Sequence, residues 1–222
     1  MNKISIITSL YNKNDSLRNT LTGLMKQKIS VPYEICIVDD GSDVNPESIV
    51  RECIPDNILK FKRFEKNIGP VKATTEAYKM ASKESDILVT MSGDVIILDT
   101  DGIEKLCMGV DEGVFTIGEI KTLEINFNMY DNWNSEVKRL KGIFDDLDTY
   151  NHVYCGSLKP NRWFIFLGGF RRGDAERSKI FESWDVNYRG NLRKLKYKPV
   201  FPMVKAIHQM HDTILYKGHG QI

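Results

Sequence analysis

The sequence has almost no net charge. Its 31 Lys and Arg meet 30 Asp and Glu, leaving +1 over 222 residues. No global field therefore draws the chain to nucleic acid or a membrane. Cysteine is scarce: Cys36, Cys53, Cys107 and Cys155 lie far apart, with no Cys-x-x-Cys pair. That sets aside a zinc knuckle and a dithiol redox motif and leaves free buried thiols in a reducing compartment. Apolar runs such as Val95–Leu98 and Phe164–Leu167 fall far short of the ~20 residues a spanning helix needs. A strand pattern begins at Lys3 where a signal peptide would have its apolar core. With 7 prolines and 16 glycines, low complexity is excluded. What the chain does have is 41% hydrophobic and 27% charged residues, enough for a sizeable core in one domain.

The first hundred residues alternate strand and helix signals. Lys3–Ser9, Tyr33–Asp39, Leu59–Phe64 and Asp86–Met91 read as strands. Helices are expected over Asp15–Lys28, with Asn14 or Asp15 as cap, over Pro46–Cys53 and over Gly69–Ser82. This βαβαβαβ run predicts a mainly parallel central sheet with helices on both faces. Ligands of such sheets sit beyond the carboxyl ends of the strands. Three of those ends carry polar clusters: Ser9–Asn12, Asp39–Asp43 and Ser92–Asp94. The second half is less regular. Asp101–Val110 and Trp133–Tyr150 read as helices, and Thr116–Asn128 as one or two strands. Asn161–Phe170 is strand-like, Trp184–Lys196 is a helix candidate, and Tyr197–His208 is a final strand interrupted by Pro199 and Pro202.

Several segments resemble, in order, those of the family 2 glycosyltransferases of the GT-A fold. SIITSLYNK resembles the family's opening, EICIVDDGSD its second strand, and KNIGPVKATTEAYKMA its N-x-G-x-x-x-A segment. VTMSGDVII stands where the family has its DxD motif. FLGGF resembles its acceptor loop, ESWDVNYRGNLRKLKY the helix that opens with Glu-Asp, and IHQMH the place of a late metal-ligating histidine. The resemblance covers almost the whole chain. It implies one GT-A domain, 1–222, with a nucleotide-sugar half over 1–99 and an acceptor half over 100–222. It also implies hexosyl or N-acetylhexosaminyl transfer from a UDP-sugar to an acceptor hydroxyl by inverting displacement.

The chemistry of the donor agrees. A carboxylate such as Asp39 or Asp40 can accept the uracil N3–H, and Tyr11 offers a flat apolar face to the base. The resemblance gives Ser9, Tyr11 and Asp39 to the nucleoside, although Asp-Gly-Ser is also ordinary turn chemistry. Asn67 and Gly69 precede a helix whose N-terminus could face phosphate. Lys72 would supply positive charge where the family often has Arg, this chain having Thr74 and Thr75 there. A diphosphate in a cleft needs a counter-charge, which a divalent cation with oxygen ligands supplies. Asp94 matches the metal-binding aspartate of DxD, and Ser92 replaces the first aspartate, with Gly93 between them. His208 is the expected second ligand ahead of His211. An imidazole donor favours Mn²⁺ over Mg²⁺. Asp185 falls on the family's catalytic base, with Trp184 replacing the preceding Glu; Glu182 takes that role if the register slips. Gly169 is expected to let backbone approach the donor sugar or the acceptor.

Lys159–Lys205 carries 12 Lys and Arg against 4 Asp and Glu. A solvated basic face is the plain account. An anionic acceptor, such as a phospholipid-linked glycan, an acidic polysaccharide or nucleic acid, is the sharper one. The expected location is cytoplasmic, with a peripheral position at a membrane surface as its extension. Rival functions are a nucleotidyltransferase, which lacks its glycine-rich loop in residues 4–16, and a non-catalytic nucleotide-sugar or glycan-binding module. A dinucleotide oxidoreductase lacks its GxGxxG after the first strand.

Overall fold

The computed structural model describes residues 2–124, 129–147, 167–182 and 194–210. Four strands in the first half, β1 (Ile4–Leu10), β2 (Tyr33–Asp39), β3 (Leu59–Arg63) and β4 (Ile87–Met91), are joined by the helices α1 (Asn14–Met25), α2 (Glu47–Cys53) and α3 (Pro70–Met80). Then follow β5 (Val95–Ile97), α4 (Gly102–Met108), β6 (Val114–Ile117), β7 (Glu119–Glu124) and α5 (Trp133–Ile143). The remainder is β8 (Leu167–Arg171), α6 (Arg172–Ser178), β9 (Lys198–Val200) and β10 (Lys205–Met210).

A seven-stranded sheet runs β3-β2-β1-β4-β8-β6-β9, and a three-stranded sheet runs β5-β10-β7. In the larger sheet β8 is antiparallel to both neighbours, while the other pairings are parallel. Strand period sorts the core to two sides. Ile4, Ile6, Ile35, Ile37, Ile87 and Val89 face a layer containing Leu17, Leu21 and Leu24 of α1, Val50 of α2 and Leu106 of α4. Ile7, Cys36, Val38 and Leu88 face the other way, against Ala73 and Ala77 of α3 and Ala175 of α6. Each leucine of α1 buried in this way contributes about 1.5–3 kcal/mol. A third cluster joins Ile96, Leu98 and Ile207 of the small sheet to Trp133, Leu140 and Phe144.

Three local expectations change. Neither Asn14 nor Asp15 caps α1: Lys13 is the cap residue and there is no side-chain cap bond. Asn14 turns its amide to the Val44 carbonyl instead. The final strand over Tyr197–His208 divides into β9 and β10, which belong to different sheets. Pro202 cannot donate to a ladder and Met203 has φ 53°, so the chain breaks there. Val95–Ile97, after the expected end of β4, forms a strand of its own in the small sheet. Asp94 therefore sits where the chain leaves one sheet for the other.

Candidate active site

Asp94 is buried, 2% exposed, just past the carboxyl end of β4. The turn that carries it is tight: a Cβ on Gly93 would lie 2.2 Å from Leu10 Cδ2. Ser92 donates its hydroxyl to Asp94 Oδ1 at 2.6 Å. Two cationic or basic groups converge on the other oxygen. Lys13 Nζ, from the loop after β1, is 2.5 Å from Asp94 Oδ2. His208 Nε2, on β10, is 3.2 Å from the same atom. Burial pushes the Asp94 carboxyl up, but His208 and then Lys13 outweigh it and hold the group far below the usual carboxylate range.

Backbone pairing fixes His208. β10 runs antiparallel to β5 with His208 opposite Val95, and the Gln209 N–H donates to the Asp94 carbonyl at 2.9 Å. The buried Gln209 amide also donates to the Ser16 carbonyl at 3.1 Å and to Thr20 Oγ1 at 3.0 Å. It accepts from Asn19 at 3.3 Å. These bonds tie α1, β10 and the Asp94 turn together, so Lys13 and His208 approach Asp94 from a braced frame.

The neighbouring crest follows β2. Asp39 is fully buried, accepts from the Ser42 hydroxyl and from the Ser42 N–H at 3.3 Å, and forms an ion pair with Arg63 Nε at 3.4 Å. Asp40 accepts the Ile68 N–H at 2.7 Å and the Gly69 N–H at 3.0 Å, which pins the chain entering α3. Gly41, with φ +74°, lets this turn cross the Lys66–Asn67 backbone, where a Cβ would come within 2.5 Å of Lys66 C. Burial raises the Asp40 carboxyl above its ordinary value, against those two backbone bonds, and Asp39 adds to the rise. Asn67 accepts from Gly69 N–H at 3.1 Å, and Gly69 itself has φ 92° before Pro70. Ser9 pairs with Thr74 at 2.9 Å. Tyr11 is 39% exposed beyond β1, and Lys72 is exposed on α3.

Asp39 and Asp94 thus share one edge of the sheet. β2 and β4 flank β1, so the two crests stand two strand spacings apart, roughly 10 Å. Gly169 lies elsewhere, inside β8 opposite Val89. Its missing Cβ leaves room for its neighbours: a Cβ there would come 2.8 Å from Thr116 Oγ1 and 3.2 Å from Leu106 O. Asp185, Trp184 and His211 lie outside the described residues. So does Cys155, while Cys36 and Cys107 are buried free thiols and Cys53 is half-buried. A cavity of ≈ 630 Å³ lined in part by Lys83, Asp86, Arg171 and Arg172 opens at the amino end of β4, away from both crests.

Sequence reasoning missed Lys13 and Gln209. Lys13 falls within the family-like opening segment, but a lysine after a strand has no distinguishing spacing. Gln209 is masked by the more conspicuous histidine beside it.

Among the described residues no cluster of three or more His, Cys, Asp and Glu side chains could hold a metal. The site offers one carboxylate and one imidazole. That pair would hold a divalent cation only with further ligands from outside the protein, such as diphosphate oxygens or water.

The sequence pattern of Glycosyl transferase family 2 matches residues 5–166. The chain belongs to that family. This family 2 chain is 24% identical over 212 residues to a poly-β-1,6-N-acetyl-D-glucosamine synthase of Staphylococcus aureus, covering 89% of this chain and 48% of the relative. It is 26% identical over 137 residues to an undecaprenyl-phosphate 4-deoxy-4-formamido-L-arabinose transferase of Proteus mirabilis, covering 60% of this chain and 40% of that one. The chain spans about half the length of these curated relatives or less. Among solved structures, S. aureus TarS 1-349 with UDP-GlcNAc superimposes with TM-score 0.65 at 16% identity, covering 95% of this chain and 59% of that one. The Pyrobaculum calidifontis mannosyltransferase PcManGT with GDP-Man and Mn²⁺ gives TM-score 0.62 at 18% identity, covering 95% and 57%. The fold is therefore GT-A. No helix among the described residues is long and apolar enough to cross a membrane.

Proposed function

We propose that the chain transfers a sugar from a UDP-sugar to an acceptor hydroxyl by inverting displacement. The observation that carries this reading is the meeting of Asp94, Lys13 and His208 at the carboxyl edge of the sheet. A buried carboxylate with basic partners at a strand end is where a diphosphate and its counter-charge would be handled. The UDP-GlcNAc bound by TarS and the N-acetylglucosamine polymer in the first relative's name support a UDP-linked donor.

In this reading residues 1–99 hold the nucleotide sugar and residues 100–222 the acceptor. Tyr11 stacks on the base, while Ser9 and Asp39 line the nucleoside. Asp94 and His208 hold a divalent cation, Mn²⁺ before Mg²⁺. When bound, that cation neutralises the diphosphate and stabilises it as a leaving group. Lys13 adds a positive charge beside the departing phosphates. Asp185 takes the proton of the acceptor hydroxyl as that oxygen attacks the anomeric carbon from the face opposite the diphosphate. The free thiols Cys36 and Cys107 suit a reducing compartment, and the reaction is placed in the cytoplasm.

Incubation with a panel of UDP-sugars and Mn²⁺, read out as released UDP with and without glycan acceptors, tests the reading. Asp185→Asn is expected to abolish transfer while calorimetric UDP affinity stays within about twofold. Undiminished turnover by that variant removes the base assignment.

A further inference from the structure

The edge strand β9 and its flanks carry a surface unlike the rest of the molecule. Among the described residues, four of the eight exposed large hydrophobic side chains fall in nine residues: Leu195, Val200, Phe201 at 43% and Met203 at 76% exposure. Lys194, Lys196 and Lys198 are interleaved with them and are also exposed. No acidic residue occurs between Asp185 and Asp212, a stretch holding six Lys and Arg. An exposed edge strand is normally blunted by charge against pairing, which accounts for the lysines. It does not account for Phe201 and Met203, which burial would favour.

The topology says which way this strip faces. β4 and β6 are both antiparallel to β8, and β9 is parallel to β6. β9 therefore runs with β4, and its Val200–Phe201 end lies on the same edge as Ser92–Asp94. The two are three strand spacings apart, roughly 14 Å. From there the chain turns at Pro202–Met203 into β10, which carries His208.

We propose that this strip docks the protein on an anionic phospholipid surface, with the Asp94 edge held close to the bilayer. Lysines attract an anionic leaflet at short range, and exposed Leu, Phe and Met side chains enter the headgroup boundary. The run has no acid of its own, although Glu112 shares a cavity with Leu195, Lys196 and Lys198 at its far end; its alternation of the two chemistries matches that occupant better than a polyanion in solution, which would leave Phe201 and Met203 in water. The proposal stands on the surface alone and does not depend on the donor chemistry.

Co-sedimentation of the whole chain with vesicles tests it. Binding is expected to phosphatidylglycerol–phosphatidylcholine vesicles, to fall as salt rises, and to be at least about tenfold weaker on pure phosphatidylcholine. Lys194→Gln with Lys196→Gln and Lys198→Gln should weaken binding about tenfold or more, with the melting temperature held. Phe201→Ser with Met203→Ser should remove the part of the binding that survives high salt. Absence of binding, or binding that neither set of changes alters, overturns the proposal. So does a chain that ignores vesicles but forms a dimer dissolved by Phe201→Ser with Met203→Ser, which would assign the strip to a second copy.

Discussion

Asp40 and Asp94 invite a direct comparison. Each is 2% exposed at the end of a strand that flanks β1, and burial pushes each carboxyl up. Asp40 receives only two backbone N–H groups, which do not offset that push, and its carboxyl stays raised. Asp94 receives Lys13 and His208, which reverse it. Asp40 holds the entry of α3 through those two backbone bonds. Asp94 is surrounded by groups that an incoming diphosphate and cation would rearrange. Burial gave the two residues the same problem, and their partners answered it differently: backbone N–H groups at Asp40, the Lys13 and His208 side chains at Asp94.

The largest expected effect is at Asp94. Asp94→Asn should lower kcat by about a thousandfold in the UDP-release assay, because the charge that would help hold the leaving diphosphate is gone. Retention of more than a tenth of the activity would break the distinction between the crests.

Asp40→Asn comes next, with the opposite signature. An amide can accept one of the two N–H groups but turns its own donors toward the other. The expected cost is about 1–3 kcal/mol of stability, a fall of roughly 5 °C in melting temperature. Activity measured well below that temperature should persist. If the melting temperature holds while UDP affinity collapses, Asp40 is a nucleoside ligand after all.

Glu34 sharpens the comparison with the smallest effect. It lies on β2, at the opposite end from Asp40, and is also buried. Burial pushes its carboxyl up, yet hydrogen bonds from Lys3, the Ser82 N–H, Ser5 and Lys60 outweigh it and bring the group from 4.5 to about 2. A depressed carboxyl stabilises the fold above its unfolded value and loses that contribution as pH falls toward the folded one. The wild-type melting temperature should therefore drop between about pH 4.5 and pH 2, and Glu34→Gln should flatten that part of the curve without touching activity. A low carboxyl value alone does not make a site: Glu34 lies at the amino end of β2, away from the edge that carries Asp94.

Much of this was legible in residue order. The alternation of apolar strands with α1, α2 and α3 appears within three residues of its expected bounds, because strand and helix periods are written by near neighbours. The SGD turn and His208 were visible as family-like segments, and the structure brings Asp94 and His208 to 3.2 Å. Gly169 shows what residue order leaves out, since a glycine pair in a strand does not say whether a ligand or a side chain such as Thr116 packs against it. The division at Pro202–Met203 was half visible: prolines announced an interruption, but nothing local said that β10 would join the second sheet.

The sequence by itself determined the parallel α/β frame, its family and the edge on which polar residues gather, since each rests on patterns a few residues long. Tertiary structure decided which carboxylate became electropositive in its surroundings. Lys13, Asp94 and His208 come from three separate stretches of chain, and only the crossing of β10 beside β5 and the bracing of α1 by Gln209 bring them together. Charge interactions decay over ångströms of space rather than positions of sequence, so no local pattern could have announced that Lys13 would join Asp94 and His208.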